Sequence, residues 1–197
     1  MPHIITVTRQ FGSLGRQIAR KMAEELHMKY YDRDIIDITA RNMGMNVNDL
    51  MDWEGKKLSV YDKMLHPLGI GNAAAQERVY KIEKSVILEL ATNQDCIFVG
   101  RCVDYLLKDV EDCLSIYIYA PVEYRIKNSV ETLGLSKKEA VKYVKGVDKA
   151  RMEFYRHNAG ADYDSMSYRD ILIDSSCLGQ EETARFLCNM AKIKFAL

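Results

Sequence analysis

Short apolar runs alternate along the chain with longer stretches in which apolar positions recur every three or four residues. Ile4, Ile5 and Val7 read as a strand that stops at a polar, glycine-bearing turn, and Ile18, Met22 and Leu26 then set a helical stripe. Lys29 to Asp32 reads as a second short strand. A helix over Ile35, Ile36, Ile38 and Met43 follows, capped by Asp34 and closed by Gly44. Residues 45–78 have poor periodicity and many Asn, Asp, Gly and Pro breaks, with Trp53, Met51 and Met64 as apolar plugs, and are expected to form an insertion. Val79, Ile82, Val86, Ile87 and Leu90 predict a helix over residues 74–92.

The second half repeats the alternation. Cys96 to Val99 is a fully apolar strand, as expected of a sheet covered on both faces, and residues 114–120 form the next strand. Pro121 opens a helix in which Ile126, Val130 and Leu133 face inward while Arg125, Lys127 and Asn128 point elsewhere. Ser136 and Glu139 make a capping box for a further helix through Ala140, Val144 and Val147. Ile171 to Asp174 is the last strand, residues 175–177 a turn, and residues 180–194 the closing helix. Five strands alternating with helices predict one α/β domain over residues 1–197, a parallel sheet with helices on both faces.

Charge narrows the classes of partner. Lys plus Arg and Asp plus Glu each total 28, so no overall field favours a nucleic acid or an anionic membrane, and any anion site must be local. Cys96, Cys102, Cys113, Cys177 and Cys188 form no metal-ligand spacing or C-x-x-C pair and read as reduced, mostly buried thiols. With no leader-like start and no apolar run of membrane-spanning length, the expectation is a cytoplasmic protein.

The chemistry gathers at the first turn. A backbone that wraps a polyphosphate turns N–H groups inward, needs glycine-tolerated dihedrals and sets a helix N-terminus against the anion. Gly12, Ser13, Leu14, Gly15, Arg16 and Gln17 fit that role, although an ordinary tight turn also fits. Against the pattern G-x-x-x-x-G-K-[ST], Gly15 keeps its place, Gln10 replaces the first glycine, Arg16 the lysine and Gln17 the hydroxyl residue. Gln17 lacks the hydroxyl that would hold Mg²⁺, so no metal ligand is assigned and Mg²⁺ is expected to arrive on the nucleotide. Asp32, either a ligand or a solvated turn residue, and Arg33 follow the second strand, and Arg101 follows the third. Arg9, Arg16, Arg33, Arg101, Arg125, Arg151 and Arg156 are all placed where a parallel fold gathers them at one rim, an arrangement suited to phosphoryl transfer. No Ser-His-Asp arrangement or carboxylate dyad competes.

The order and spacing of residues 4–18, 30–36, 98–102, 120–126, 148–151 and 173–176 resemble the cytidylate kinase-like family, a branch of the P-loop nucleoside monophosphate kinases. The resemblance implies a three-layer P-loop NTPase fold of strand order 2-3-1-4-5, an acceptor-binding insertion at 45–78 and a lid at 148–168. It implies ATP-dependent phosphoryl transfer to a nucleoside monophosphate such as CMP or dCMP. Gly12 to Gln17 would cradle ATP, and Arg16, Arg125 and Arg151 would act on the transferring group. Asp32, Arg33, Arg101 and Asp148 would serve the substrate side, and residues 176–178 would lie near the adenine. Cys102 stands where true cytidylate kinases have Asp. A nucleotide- or anion-binding regulatory protein and a kinase for a non-nucleotide metabolite remain as alternative readings.

Overall fold

The computed structural model describes residues 2–32, 64–65 and 73–197. The apolar runs form five strands, β1 (Ile4–Arg9), β2 (Lys29–Tyr31), β3 (Cys96–Val99), β4 (Cys113–Tyr119) and β5 (Ile171–Asp174). They pair in parallel in the order β2-β3-β1-β4-β5, the order expected from the resemblance. Around them lie α1 (Gly15–Glu25), α2 (Ala73–Asn93), α3 (Val103–Leu106), α4 (Val122–Leu133), α5 (Lys137–Ala159) and α6 (Ser175–Phe195).

Strand side chains alternate between faces, so each buried strand feeds two cores. Ile5, Val7, Ile97, Ile116 and Ile118 pack against Ile18 and Met22 of α1 and Leu187 and Cys188 of α6. On the opposite face Ile4, Cys96 and Phe98 pack against Val79, Val86 and Ile87 of α2 and Val103 of α3. Each such aliphatic side chain, fully withdrawn from water, contributes roughly 1.5–3 kcal/mol. Burial also pushes the Cys96, Cys113 and Cys188 thiols up to about 12, which makes them packing groups rather than nucleophiles. No described helix is long and apolar enough to cross a membrane.

Three local readings change. The helix after Ser136 runs unbroken to Ala159, so Asp148, Arg151 and Tyr155 share one element. Its capping box is present, with the Glu139 amide donating to Ser136 Oγ at 3.3 Å and the Ser136 amide to Glu139 Oε2 at 2.9 Å. On α4, Arg125 and Asn128 turn inward beside Ile126, whereas Leu133 is 43% exposed; the neighbour on that face is a loop whose carbonyls need donors. Residues 175–177 form the first helical turn of α6, capped by Asp174 and interrupted at Gly179, where φ is +74°. Most of residues 45–78 lies outside the described residues, as do Arg33, Asp34, the helix expected over 35–43, Met51 and Trp53.

Candidate active site

β1 ends at Arg9 and α1 begins at Gly15, and the loop between them closes on itself. Ser13 is buried, its hydroxyl within hydrogen-bonding reach of the carbonyls of Gln10 (2.9 Å) and Ile118 (3.2 Å). The Ser13 carbonyl accepts from Ser175 Oγ at 2.7 Å, and the Gly12 carbonyl from Asn128 Nδ2 at 2.9 Å. With carbonyls and hydroxyl tied to the scaffold, the amides of Gly12, Leu14, Gly15 and Gln17 have no partner among the described residues. Positive φ at Gly12 (+79°) and Leu14 (+60°) makes this turn, and at Leu14 a side chain bears that conformation at a cost of about 1–2 kcal/mol.

The loop borders a cavity of about 440 Å³ whose lining includes Arg9, Arg16, Arg101 and Arg151, with Asp32 as its carboxylate among the described residues. Two of these cations are neutralised within the protein. Arg16 Nε donates to Asp32 Oδ2 at 2.7 Å, Nη2 reaches the same oxygen, and Tyr30 OH donates to it at 3.1 Å. Arg101 is paired with the fully buried Glu83 and lies 5.5 Å from the Phe154 ring. It belongs to a run of three left-handed residues, Gly100 to Cys102, that turns the chain sharply after β3.

Arg9 and Arg151 are different. Arg151 donates through Nη1 to the Arg9 carbonyl at 3.0 Å and lies 5.8 Å from the Phe11 ring. The Arg9 guanidinium has no hydrogen-bond or carboxylate partner among the described residues, and its Nε is buried. Burial, and secondarily Arg151, pushes it down to about 10. Two glycines give it room: a Cβ on Gly15 would meet Arg9 Cβ at 2.7 Å, and one on Gly100 would meet Arg9 Nη1 at 2.2 Å.

Of the residues expected at the site, Gly12, Leu14, Gly15, Arg16, Gln17, Asp32, Arg101 and Arg151 line the cavity together. Ser13 lies beneath the loop. Arg125, expected among them, is absent from the lining. It is buried, Nε donates to the Ala120 carbonyl at 3.0 Å, and Nη1 donates to the Phe11 carbonyl at 3.3 Å and to Asp148 Oδ2. Asp148 Oδ1 accepts from the Phe11 amide at 2.8 Å, so this pair fastens the loop to α4 and α5 from behind. Residues 176–178 are absent from the lining. Sequence reasoning counted Arg9 among the basic residues without a role, and it missed Tyr163, whose hydroxyl donates to the Arg9 carbonyl at 2.6 Å. It also missed the buried Arg169–Asp104 pair below, where Tyr155 OH donates to Asp104 at 3.2 Å. A glycine such as Gly100 signals close approach, but its partner 91 positions away is not written locally.

A Gly12→Ala variant should destabilise the fold by about 2–4 kcal/mol, because its Cβ would lie 2.4 Å from the Arg125 carbonyl oxygen at a φ that disfavours any side chain. Urea unfolding measures the loss. A titration with tripolyphosphate should show weaker binding, since the amide array shifts with the loop.

The donor set does not fit a resident Mg²⁺. The Ser13 hydroxyl is used internally, Gln17 holds the other expected position, and no cluster of three His, Cys, Asp or Glu exists among the described residues. The surroundings instead suit a multiply charged anion, with amides at a helix N-terminus on one side and guanidinium groups on the other.

The sequence matches no curated protein. In structure the chain is similar to an uncharacterised protein from Eubacterium ventriosum at TM-score 0.74 and 19% identity, over 96% of this chain and 98% of that one. It is similar to shikimate kinase from Acinetobacter baumannii at TM-score 0.54 and 14% identity, over 96% and 93%. Shikimate kinase from Bacteroides thetaiotaomicron gives 0.55 and 11%, over 99% of both. At these identities the likeness is one of fold, that of P-loop kinases. A family model described as "Cytidylate kinase-like family" matches residues 4–177, from the first residue of β1 into the opening turn of α6 and thus across the whole cavity. The chain belongs to the cytidylate kinase-like family.

Proposed function

We propose that the protein is an ATP-dependent phosphotransferase that holds the donor phosphates on the loop Gly12–Gln17 and transfers the γ-phosphoryl group to a phosphate-bearing acceptor such as CMP or dCMP. The observation that carries this reading is the array of amides without partners among the described residues at Gly12, Leu14, Gly15 and Gln17, all residues that line a cavity with four arginines. In the step, an acceptor phosphate oxygen attacks the γ-phosphorus, the bond to the β,γ-bridging oxygen breaks, and its electron pair leaves with ADP. A phosphate dianion brings no proton to remove. The lining carboxylate, Asp32, is held by Arg16 and Tyr30, an arrangement that suits such an acceptor better than a hydroxyl, which needs a base.

The protein's own groups orient the phosphates and offset their charge, and Mg²⁺ enters with the nucleotide. Residues 45–78 and Arg33 are assigned to acceptor binding and residues 148–168 to a lid, on the family resemblance. Five free thiols, all but Cys177 buried, suit an ATP-supplied reducing compartment such as the cytoplasm.

One observation favours a regulatory nucleotide- or anion-binding protein instead: Arg16, in the lysine's place, is already engaged by Asp32. Coupled ADP-release assays with ATP and a panel of monophosphates separate the two. The kinase reading expects turnover with at least one monophosphate and a rise in melting temperature with ATP. Stabilisation by ATP without ADP formation supports the regulator, and no stabilisation by ATP or tripolyphosphate overturns both.

A further inference from the structure

We propose that Arg9, rather than Arg16, is the catalytic cation on the transferred phosphoryl group, reaching from the donor loop to the acceptor side of the cavity. The inference rests on the phosphotransferase reading above.

Four arginines at or beside the cavity have carboxylate partners: Arg16 with Asp32, Arg101 with Glu83, Arg125 with Asp148, and Arg169 with Asp104. Arg9 has none among the described residues, although it is half-buried with its Nε shut off from solvent, a placement that costs a cation without a counter-charge. Its neighbours add to that cost, since Arg151 is bonded to its carbonyl. A fold that keeps such a group and clears space for it with glycines on two elements has left a place for an external anion.

The position identifies which part of the anion. The Arg9 stem passes Gly15, the first residue of α1, where the donor phosphates meet the helix N-terminus. Its tip lies against Gly100, just past β3, on the side of Arg101. A planar guanidinium spanning those two points lies between donor and acceptor, where the migrating group passes and its equatorial oxygens carry the charge. As the acceptor oxygen bonds to phosphorus and the bridging oxygen departs with its electron pair, Arg9 donates hydrogen bonds to those oxygens and exchanges no proton. Arg16, drawn aside by Asp32, is left to the flank of the loop.

The test compares the parent chain with Arg9→Met and Arg9→Lys in three measurements: melting temperature without ligand, the shift produced by ADP, and the additional shift produced by ADP with aluminium fluoride and CMP, which imitates the group in flight. For Arg9→Met the expected result is an unliganded melting temperature equal to or above the parent's, an ADP shift at least half the parent's, loss of the additional fluoride-dependent shift, and kcat lowered at least 100-fold. Arg9→Lys should recover part of the fluoride-dependent shift. A parent chain that ADP fails to stabilise overturns the phosphotransferase reading, and this proposal with it. A parent that responds, beside an Arg9→Met variant with the same fluoride-dependent shift, overturns the role of Arg9 alone. An Arg9→Met variant that melts well below the parent overturns the claim of an uncompensated cation and makes Arg9 a structural residue.

Discussion

An Arg151→Ala variant should lose about 10²–10⁴-fold in kcat while its melting temperature stays within a few degrees of the parent's. The expectation follows from the position of the side chain, which lines the cavity, reaches the Arg9 carbonyl and has no carboxylate partner among the described residues. Truncation removes positive charge from the cavity proposed to receive the phosphates but breaks no buried ion pair. It also relieves repulsion on Arg9, for which Arg151 is the largest charged neighbour opposing protonation. Steady-state ADP release, with thermal unfolding in parallel, is the measurement. A kcat within threefold of the parent's would remove Arg151 from the chemistry.

Arg125→Ala should do the reverse, destabilising the fold by about 3–5 kcal/mol in urea unfolding. Arg125 donates to two backbone carbonyls and to Asp148, and its loss leaves that carboxylate and the Phe11 and Ala120 carbonyls poorly satisfied beneath the loop. Lysine should restore only part of the stability, because a compact ammonium cannot serve three acceptors fixed in a planar fork. Activity should fall in step with the folded fraction. A variant of unchanged stability and collapsed kcat would return Arg125 to the place over the transferring group that the family resemblance gave it.

These two arginines mark where sequence reading stopped. The sheet was legible because β3 is apolar throughout and β1 carries Ile4, Ile5 and Val7, and the capping box at Ser136 because its two partners are three residues apart. The position of the loop was legible because Gly12 and Gly15 bound a turn set between an apolar strand and a helical stripe. Ion pairing was not. Arg16 meets Asp32 across 16 positions, Arg125 meets Asp148 across 23 and Arg169 meets Asp104 across 65, and composition does not distinguish a guanidinium matched in this way from one left open. The polar face of α4 misled for a similar reason. Arg125 and Asn128 look like solvent-facing residues until the carbonyls of Phe11 and Gly12 are seen to need donors.

The bond from Ser175 to the Ser13 carbonyl bears on how the protein is made. The loop lies near the start of the chain, but its floor is completed by the final helix, which also supplies much of the core against α1. During synthesis the loop therefore lacks this partner until the ribosome has worked through some 160 further residues. The loop reaches its final form only once that last helix has emerged and docked.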